Sequence, residues 1–489
     1  MQFTQKHLEV FENLSYDKSP IHWDNAYARR TPFANVVVYG IAGVLYGLGL
    51  WSKGRPFYIH SIKGNFNRTL YKNMEYEYIF KEKGNKVRIA ILHNKSELMD
   101  FTFEWVEWSG SNSQIIKCGE SNFIPALTAS QSVDIPPDRN NILYDMNDSA
   151  TEDLHKFYLL DYNQIPRQQL ITLLWSSYHV GMVWPGKQAL YLDFKFKFDI
   201  KTEDVSKKQL NIKNLAYKLD ERFNLTSIKG DAEGINIKIS AFVRPQPVNY
   251  SFSEICRKVN SDLSLSNKTV LVLGASRGFG SVIARIFLLK GASVIFNYRT
   301  DDEALKNLQD ELSEFSNKSW FYQGDMSDPV ICNNLKAELI KKNIQLDILV
   351  CSASPPIQTI PFEEQSTEKF LQFINKSLSV CHNPILTFIS ILSESANVVN
   401  ISSVYAVKPP KHFSHYVAAK WAIEGMTHAL ASEYPQVKFS LARLPRILTD
   451  QTNVNFDFEN KLSAIDVADN LLNKILANEV TSNPFVIDF

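Results

Sequence analysis

The stretch that most restricts the fold lies past the middle of the chain. Residues 269–273 read TVLVL, a run of apolar and β-branched residues with no alternation. Such a run suits a strand buried on both faces, as in a parallel sheet covered by helices. It is followed at once by Gly274, Ala275, Ser276, Arg277, Gly278, Phe279 and Gly280, and then by the helical pattern SVIARIFLLKGA. Glycines at a strand-to-helix turn let a phosphate group approach the backbone and rest on a helix N-terminus. Strand and helix patterns alternate from there to the C-terminus, so residues 267–489 are expected to form an α/β domain around a doubly wound parallel sheet.

A second pattern gives that domain its chemistry. Residues 402–420 read SSVYAVKPPKHFSHYVAAK, with Tyr416 and Lys420 four apart and Ser403 thirteen residues before the tyrosine. Alanines at 418, 419 and 422 suggest a helix here, and residues four apart share a helix face. An ammonium beside a phenol favours the phenolate and readies it for proton transfer. Ser403 can hold a carbonyl or hydroxyl oxygen next to that phenol. This set suits carbonyl–alcohol interconversion and requires a hydride carrier, whose seat is the glycine turn.

With these motifs in order, residues 270–450 resemble the short-chain dehydrogenase/reductases, with their Rossmann fold. The resemblance implies catalysis by Ser403, Tyr416 and Lys420, with Asn375 of FINKSLSV anchoring a proton relay. It implies a nicotinamide cofactor held by Gly274, Ser276, Arg277, Gly278, Phe279, Gly280, Asp325, Met326 and Thr449. Cys351-Ser352-Ala353-Ser354 stands where the family has NNAG, and Pro445-Arg446 where it has PG. Pairing through the helices of Asn375 and Tyr416, into a homodimer or larger assembly, is also implied. The residues themselves point to NADPH. The second strand ends Asn297-Tyr298-Arg299 with no acid before Asp301, and Arg277 and Arg299 can reach a ribose phosphate.

The 489 residues predict two to four domains, and a hydrophobic share of 45% is ordinary for a globular chain. A net formal charge of zero argues against a nucleic-acid footprint. The longest apolar run, 36–51, contains four glycines and is shorter than the ~20 residues of a membrane span, so a buried helix is expected. Five cysteines without a CxxC pattern suggest reduced thiols and no structural metal. A cytoplasmic enzyme without a membrane partner is expected.

Residues 1–250 have another texture: aromatic-rich segments with period-two alternation, such as Tyr191, Asp193 and Lys195 against Leu192, Phe194 and Phe196. That pattern suits antiparallel sheet with one wet face. A glycine-bearing apolar segment precedes a set of strands twice, at 36–51 and 170–186, which suggests duplication. Ahead of the first copy, Asp17, Pro20 and His22 form DxxPxH. A carboxylate and an imidazole converging across a proline turn suit addition or removal of water across a double bond. Amides near Tyr39 and Gly40 could hold the developing oxyanion.

This stretch resembles the MaoC-like, R-specific enoyl-thioester hydratases. Ser15, Asp17, Pro20, His22, Asp24, Ala28 and Gly40 match, while Tyr16, Ser19 and Tyr39 replace a glycine, an asparagine and a histidine. The resemblance implies an α+β double hot-dog with Asp17 and His22 as the dyad. Residues 1–130 would be the catalytic hot-dog, 131–152 a linker, 153–250 a second copy without the motif, and 251–266 a connection to the reductase. Together the resemblances imply a bifunctional enzyme on an acyl-CoA or acyl-carrier-protein thioester: an NADPH-dependent 3-oxoacyl reductase joined to a 3-hydroxyacyl dehydratase. Two alternatives remain: oxidative flux with NAD, and a hot-dog pair that only binds the acyl chain. His412 and His415 are expected to line the substrate loop or face solvent.

Overall fold

The computed structural model describes residues 1–109, 123–131, 136–137, 142–199, 209–232, 234–262, 264–300, 303–454, 460–477 and 482–489. The chain divides into two compact units, the first built mainly from Met1–Gln246 and the second beginning at Pro247.

The first unit carries a nine-stranded sheet: β1 (Phe57–Asn65), β2 (Glu77–Lys83), β3 (Lys86–His93), β4 (Ser96–Glu107), β5 (Ile142–Tyr144), β6 (Ala189–Phe198), β7 (Leu210–Asp220), β8 (Leu225–Ala232) and β9 (Ile235–Val243). Its order is β2-β3-β4-β1-β6-β9-β8-β7-β5, and every neighbouring pair is antiparallel. Alternation sets its faces: Phe194 and Phe196 are buried, whereas Lys195 and Lys197 are exposed. Counted outward from the β1–β6 junction, each half runs first, fourth, third, second strand. Each first strand follows an apolar helix, Gly40–Ser52 or Arg167–Tyr178. Both helices pack into the same core as the inward side chains of the sheet.

Both expected connections are shorter than composition suggested. Within 131–152, β5 pairs with β7, and Tyr144, Asp145 and Met146 are buried. Asp145 there takes a 2.8 Å ion pair from the buried Arg167. Within 251–266, Phe252–Lys258 is a helix, and Phe252 and Ile255 join the core of the second unit. Ser251 caps it by accepting from the Glu254 amide. The polar residues of these segments are caps and ion-pair partners, so their composition resembled loops.

The second unit holds a seven-stranded parallel sheet: β10 (Thr269–Leu273), β11 (Ser293–Tyr298), β12 (Ser319–Gln323), β13 (Leu346–Cys351), β14 (Leu392–Ser403), β15 (Lys438–Leu444) and β16 (Phe485–Asp488). The order is β12-β11-β10-β13-β14-β15-β16. The chain reverses direction across the sheet between β10 and β13, which opens a crevice at the carboxyl ends of these strands. Val270 to Leu273 are fully buried, as a run without alternation requires. Among the described residues no helix is long and apolar enough to cross a membrane.

Candidate active site

Every cofactor-type residue of the second unit lies just past the carboxyl end of a strand. Gly274 follows β10 with φ +75°, and a Cβ there would lie 2.9 Å from Ala353 Cα. A Cβ on Gly280 would lie 2.4 Å from the Gly274 carbonyl oxygen. The backbone is therefore packed to a closeness only glycine permits. Gly278 opens the helix Gly278–Leu289, whose first amides have no intrahelical acceptor. Ser352, which replaces an asparagine of the family pattern, donates its hydroxyl hydrogen to the Leu273 carbonyl at 2.5 Å and ties the end of β10 to the turn after β13. Thr449 Cγ2 lies 3.8 Å from the place of a Gly278 Cβ, so Thr449 borders the glycine turn.

Ser276, Arg277 and Phe279 occupy the same turn, each partly buried. Arg299 leaves the end of β11 exposed, 3.8 Å from Asp325. Asp325 accepts from Lys376 at 2.7 Å and from the Ser327 hydroxyl. Burial works against its charge, but these bonds prevail and hold its carboxyl down at about 2. The Met326 side chain is packed in the core, so only its backbone is placed to meet a ligand. Asp301 lies outside the described residues.

Ser403 ends β14, and Tyr416 and Lys420 stand on the first turns of the helix Ser414–Glu433. Lys420 Nζ donates to the Ile401 carbonyl at 2.8 Å, and Tyr405 meets the Tyr416 ring at a centroid distance of 6.4 Å. Ser403 sits between these two anchors. The Lys420 ammonium is 5.5 Å from the Tyr416 ring centroid. Phe373, Phe413, Ile357 and Ile374 pack around the phenol.

Asn375 lies on the helix Thr367–Phe388, outside the apolar cluster around Tyr416. Its side chain is exposed, and its carbonyl accepts from Ser379. The preceding residue, Ile374, is the one that packs on the cluster of Tyr416. His412 is exposed, as one expectation had it, but His415 is fully buried among Phe370, Phe373 and Phe413.

Buried polar contacts that belong to no local motif fix the helix Ser414–Glu433. Glu424, one turn past Lys420 and buried, accepts from Ser402 at 2.6 Å and from Arg443 at 2.6 Å. Thr427, a further turn on, accepts from Asn400. Polar residues at 420, 424 and 427 on one helix face were the available signal.

In the first unit, Asp17 is buried beneath Tyr39, whose hydroxyl donates to the Asp17 carbonyl at 2.7 Å. Asp17 Oδ1 accepts from the Ser19 amide and Oδ2 from the Ser177 hydroxyl at 2.7 Å. Burial outweighs these bonds and pushes the carboxyl up to about 7. His22 stacks on the Tyr39 ring, centroids 3.8 Å apart. Its Nδ1 lies 2.8 Å from the Val37 carbonyl. A carbonyl only accepts, so Nδ1 carries the hydrogen and Nε2 keeps a lone pair. Burial pushes this imidazole down to about 4. Asp17 and His22 thus both contact Tyr39. Tyr39 also caps the helix Gly40–Ser52, whose first amides start beside it.

Residues 268–459 match the short chain dehydrogenase family. A 3beta-hydroxysteroid dehydrogenase 1 of Eggerthella lenta is 29% identical over 174 residues, 35% of this chain and 66% of that protein. An L-fucose dehydrogenase of Mus musculus is 34% identical over 169 residues, 34% of this chain and 59% of that protein. The chain therefore spans under two thirds of the length of these relatives. Among solved structures, a short chain dehydrogenase from Burkholderia cenocepacia in complex with NADP is 22% identical with a TM-score of 0.42, covering 46% of this chain and 97% of that one.

Proposed function

Residues 268–459 form a short-chain dehydrogenase/reductase domain, and on that premise we propose that the chain is a bifunctional enzyme of acyl-thioester metabolism. The second unit reduces a 3-oxoacyl thioester, and the first interconverts the 3-hydroxyacyl and 2-enoyl forms. The observation that supports the reading is that Ser403 ends β14, and Lys420 ties the helix bearing Tyr416 to that same strand, in the sheet whose β10 leads into the glycine turn. The apolar walls around Tyr416 suit an acyl chain better than a polyol.

The glycine turn fits a dinucleotide, because its backbone approach would be blocked by any Cβ at 274 or 280. NADPH is the proposed cofactor. The amides from Gly278 onward would hold its pyrophosphate, and Arg277 and Arg299 its ribose phosphate. Lys376 occupies Asp325, which lessens the repulsion between that carboxylate and a phosphate at Arg299. The cofactor supplies a hydride when bound. Tyr416 gives its phenolic proton to the carbonyl oxygen, which the Ser403 hydroxyl orients. The Lys420 ammonium stabilises the phenolate that remains. Asn375, exposed on the helix Thr367–Phe388, is the proposed anchor of the water that resupplies the proton.

For the first unit, the repeated helix-and-four-strand topology supports a double hot-dog fold. His22 Nε2 takes a proton from water as the oxygen adds to the β-carbon, and the protonated Asp17 carboxyl delivers one to the α-carbon. A second reading, an acyl-binding module without catalysis, is favoured by one observation: both Asp17 oxygens are already engaged, by Ser19 and Ser177. Crotonyl-thioester hydration by the whole chain decides between them. Activity lost in both Asp17→Asn and His22→Ala supports the dyad, and no hydration by wild type supports the binding module. A panel of 3-oxoacyl thioesters on CoA and on acyl carrier protein, with NADPH and with NADH, tests the reductase and its direction. Comparable efficiency with the two cofactors would favour oxidative flux.

A further inference from the structure

Four lysines stand in one unbroken row across the outer face of the nine-stranded sheet. Lys63 on β1 is directly opposite Lys195 on β6, Lys195 is opposite Lys238 on β9, and Lys238 is opposite Lys229 on β8. Directly paired residues share a face, and all four side chains are exposed. Among the described residues none of the four has an ion pair or a side-chain hydrogen bond. Beyond Thr102, which pairs with Lys63, the row continues to Arg88, but that guanidinium is already held by Glu97 and Asp100.

Like charges directly opposite each other destabilise a sheet. Lysines often guard sheet edges against unwanted pairing. That purpose does not apply here, because β1, β6, β9 and β8 are interior strands of the sheet. Three successive self-repelling pairs on interior strands therefore need another use.

We infer that this row docks an acidic helix of a partner protein. Strands lie about 4.8 Å apart, so the four lysines span roughly 14–15 Å. Carboxylates at i, i+3, i+7 and i+10 of a helix lie on one face and span about 15 Å at a rise of 1.5 Å per residue. The flanking rows narrow the choice of polyanion. One carries Asp100 and Asp193, and the other carries Glu104 and Asp231 with Lys197 between them. The four acids weaken the pull on a broad anionic surface such as a membrane, and the lysine row stays the longest unbroken line of positive charge. The row has no interleaved aromatic side chain on which nucleic-acid bases could stack. At its far end Lys229 and Lys238 border a shallow open cleft with Asn214, Asn236 and Asp231. This inference does not depend on the reaction proposed for either unit.

The test uses the whole chain and a labelled synthetic helix with glutamates at i, i+3, i+7 and i+10. Fluorescence anisotropy should show saturable binding that weakens with added salt and falls at least about tenfold in Lys195→Gln/Lys238→Gln. A peptide of the same composition, with its glutamates distributed around the helix, should bind at least about tenfold more weakly. Without peptide, the double variant should melt about 2 °C higher than wild type at low salt, because the repulsion is relieved. Equal binding of the two peptides, or no binding at low salt, would overturn the inference. So would equal or tighter binding of phosphatidylserine vesicles or of single-stranded oligothymidine. A double variant that melts no higher than wild type would remove its electrostatic premise.

Discussion

Lys420 donates from Nζ to the Ile401 carbonyl at 2.8 Å, and this bond holds the start of the helix Ser414–Glu433 against β14, two residues before Ser403. The ammonium is thereby fixed beside the Tyr416 ring rather than free to wander in solvent. Lys420→Met should keep the fold, read by far-UV circular dichroism, and lower ketoreduction by about a hundredfold or more. A variant within about threefold of wild type would show that the ammonium does not assist the phenol.

Glu424 is a buried carboxylate held by Ser402 and Arg443. Glu424→Ala leaves Arg443 without this partner, and breaking such a buried pair costs about 3–5 kcal/mol. Arg443 keeps some exposure and lies 3.6 Å from Asp488, so the lower end of that range is expected. Chemical denaturation of Glu424→Ala and of Glu424→Ala/Arg443→Ala measures it. The double variant should recover part of the loss, and a purely additive result would contradict the pair's importance.

The glycine turn and the parallel sheet were legible in the sequence, because each rests on a local pattern. A helix pattern fixes period but not phase, so the sequence could not tell that Ile374, rather than Asn375, would join the apolar cluster of Phe373 and Tyr416. Ser177 and Asp17 are 160 residues apart, and Glu424 and Arg443 belong to different elements. No spacing rule could have paired them. The polar stretch before Arg167 looked like a linker because its acids are ion-pair partners of that buried arginine.

Gly280→Ala tests the cofactor seat. Its Cβ would lie 2.4 Å from the Gly274 carbonyl oxygen and 2.6 Å from Ser352 Oγ, and the first contact is with backbone that cannot turn aside. The variant should lose about 1–3 kcal/mol of stability. The thermal stabilisation that NADPH confers on wild type should largely vanish. Undiminished stabilisation by NADPH would place the dinucleotide elsewhere.

Asp17 gives a pH dependence of definite sign. Its carboxyl is held at about 7 in the folded chain against an ordinary value of 3.8. Between those values the folded protein keeps a proton that the unfolded chain has released, so this group lowers stability as pH rises from about 4 to 7. The full cost, on the order of 4 kcal/mol, is present above that range. His22 runs the other way, because it is held at about 4 against 6.5 and adds stability as pH rises between them. Asp17→Asn removes only the first contribution. Its stability relative to wild type should therefore increase from about pH 4 to pH 7 and level off above that in thermal melts. A difference that stays flat across that range would contradict the buried, high-affinity proton.

The most direct test of the reductase assignment is the ketoreduction rate of Tyr416→Phe, with crotonyl-thioester hydration measured on the same preparation. The substitution removes one hydroxyl from a ring packed among Phe373, Ile374 and Phe413, so the fold should persist. NADPH-dependent reduction of a 3-oxoacyl thioester should fall by about a hundredfold or more, while any hydration by the first unit continues at the wild-type rate. Reduction within about tenfold of wild type would contradict Tyr416 as the proton donor, and with it the proposed chemistry of the second unit.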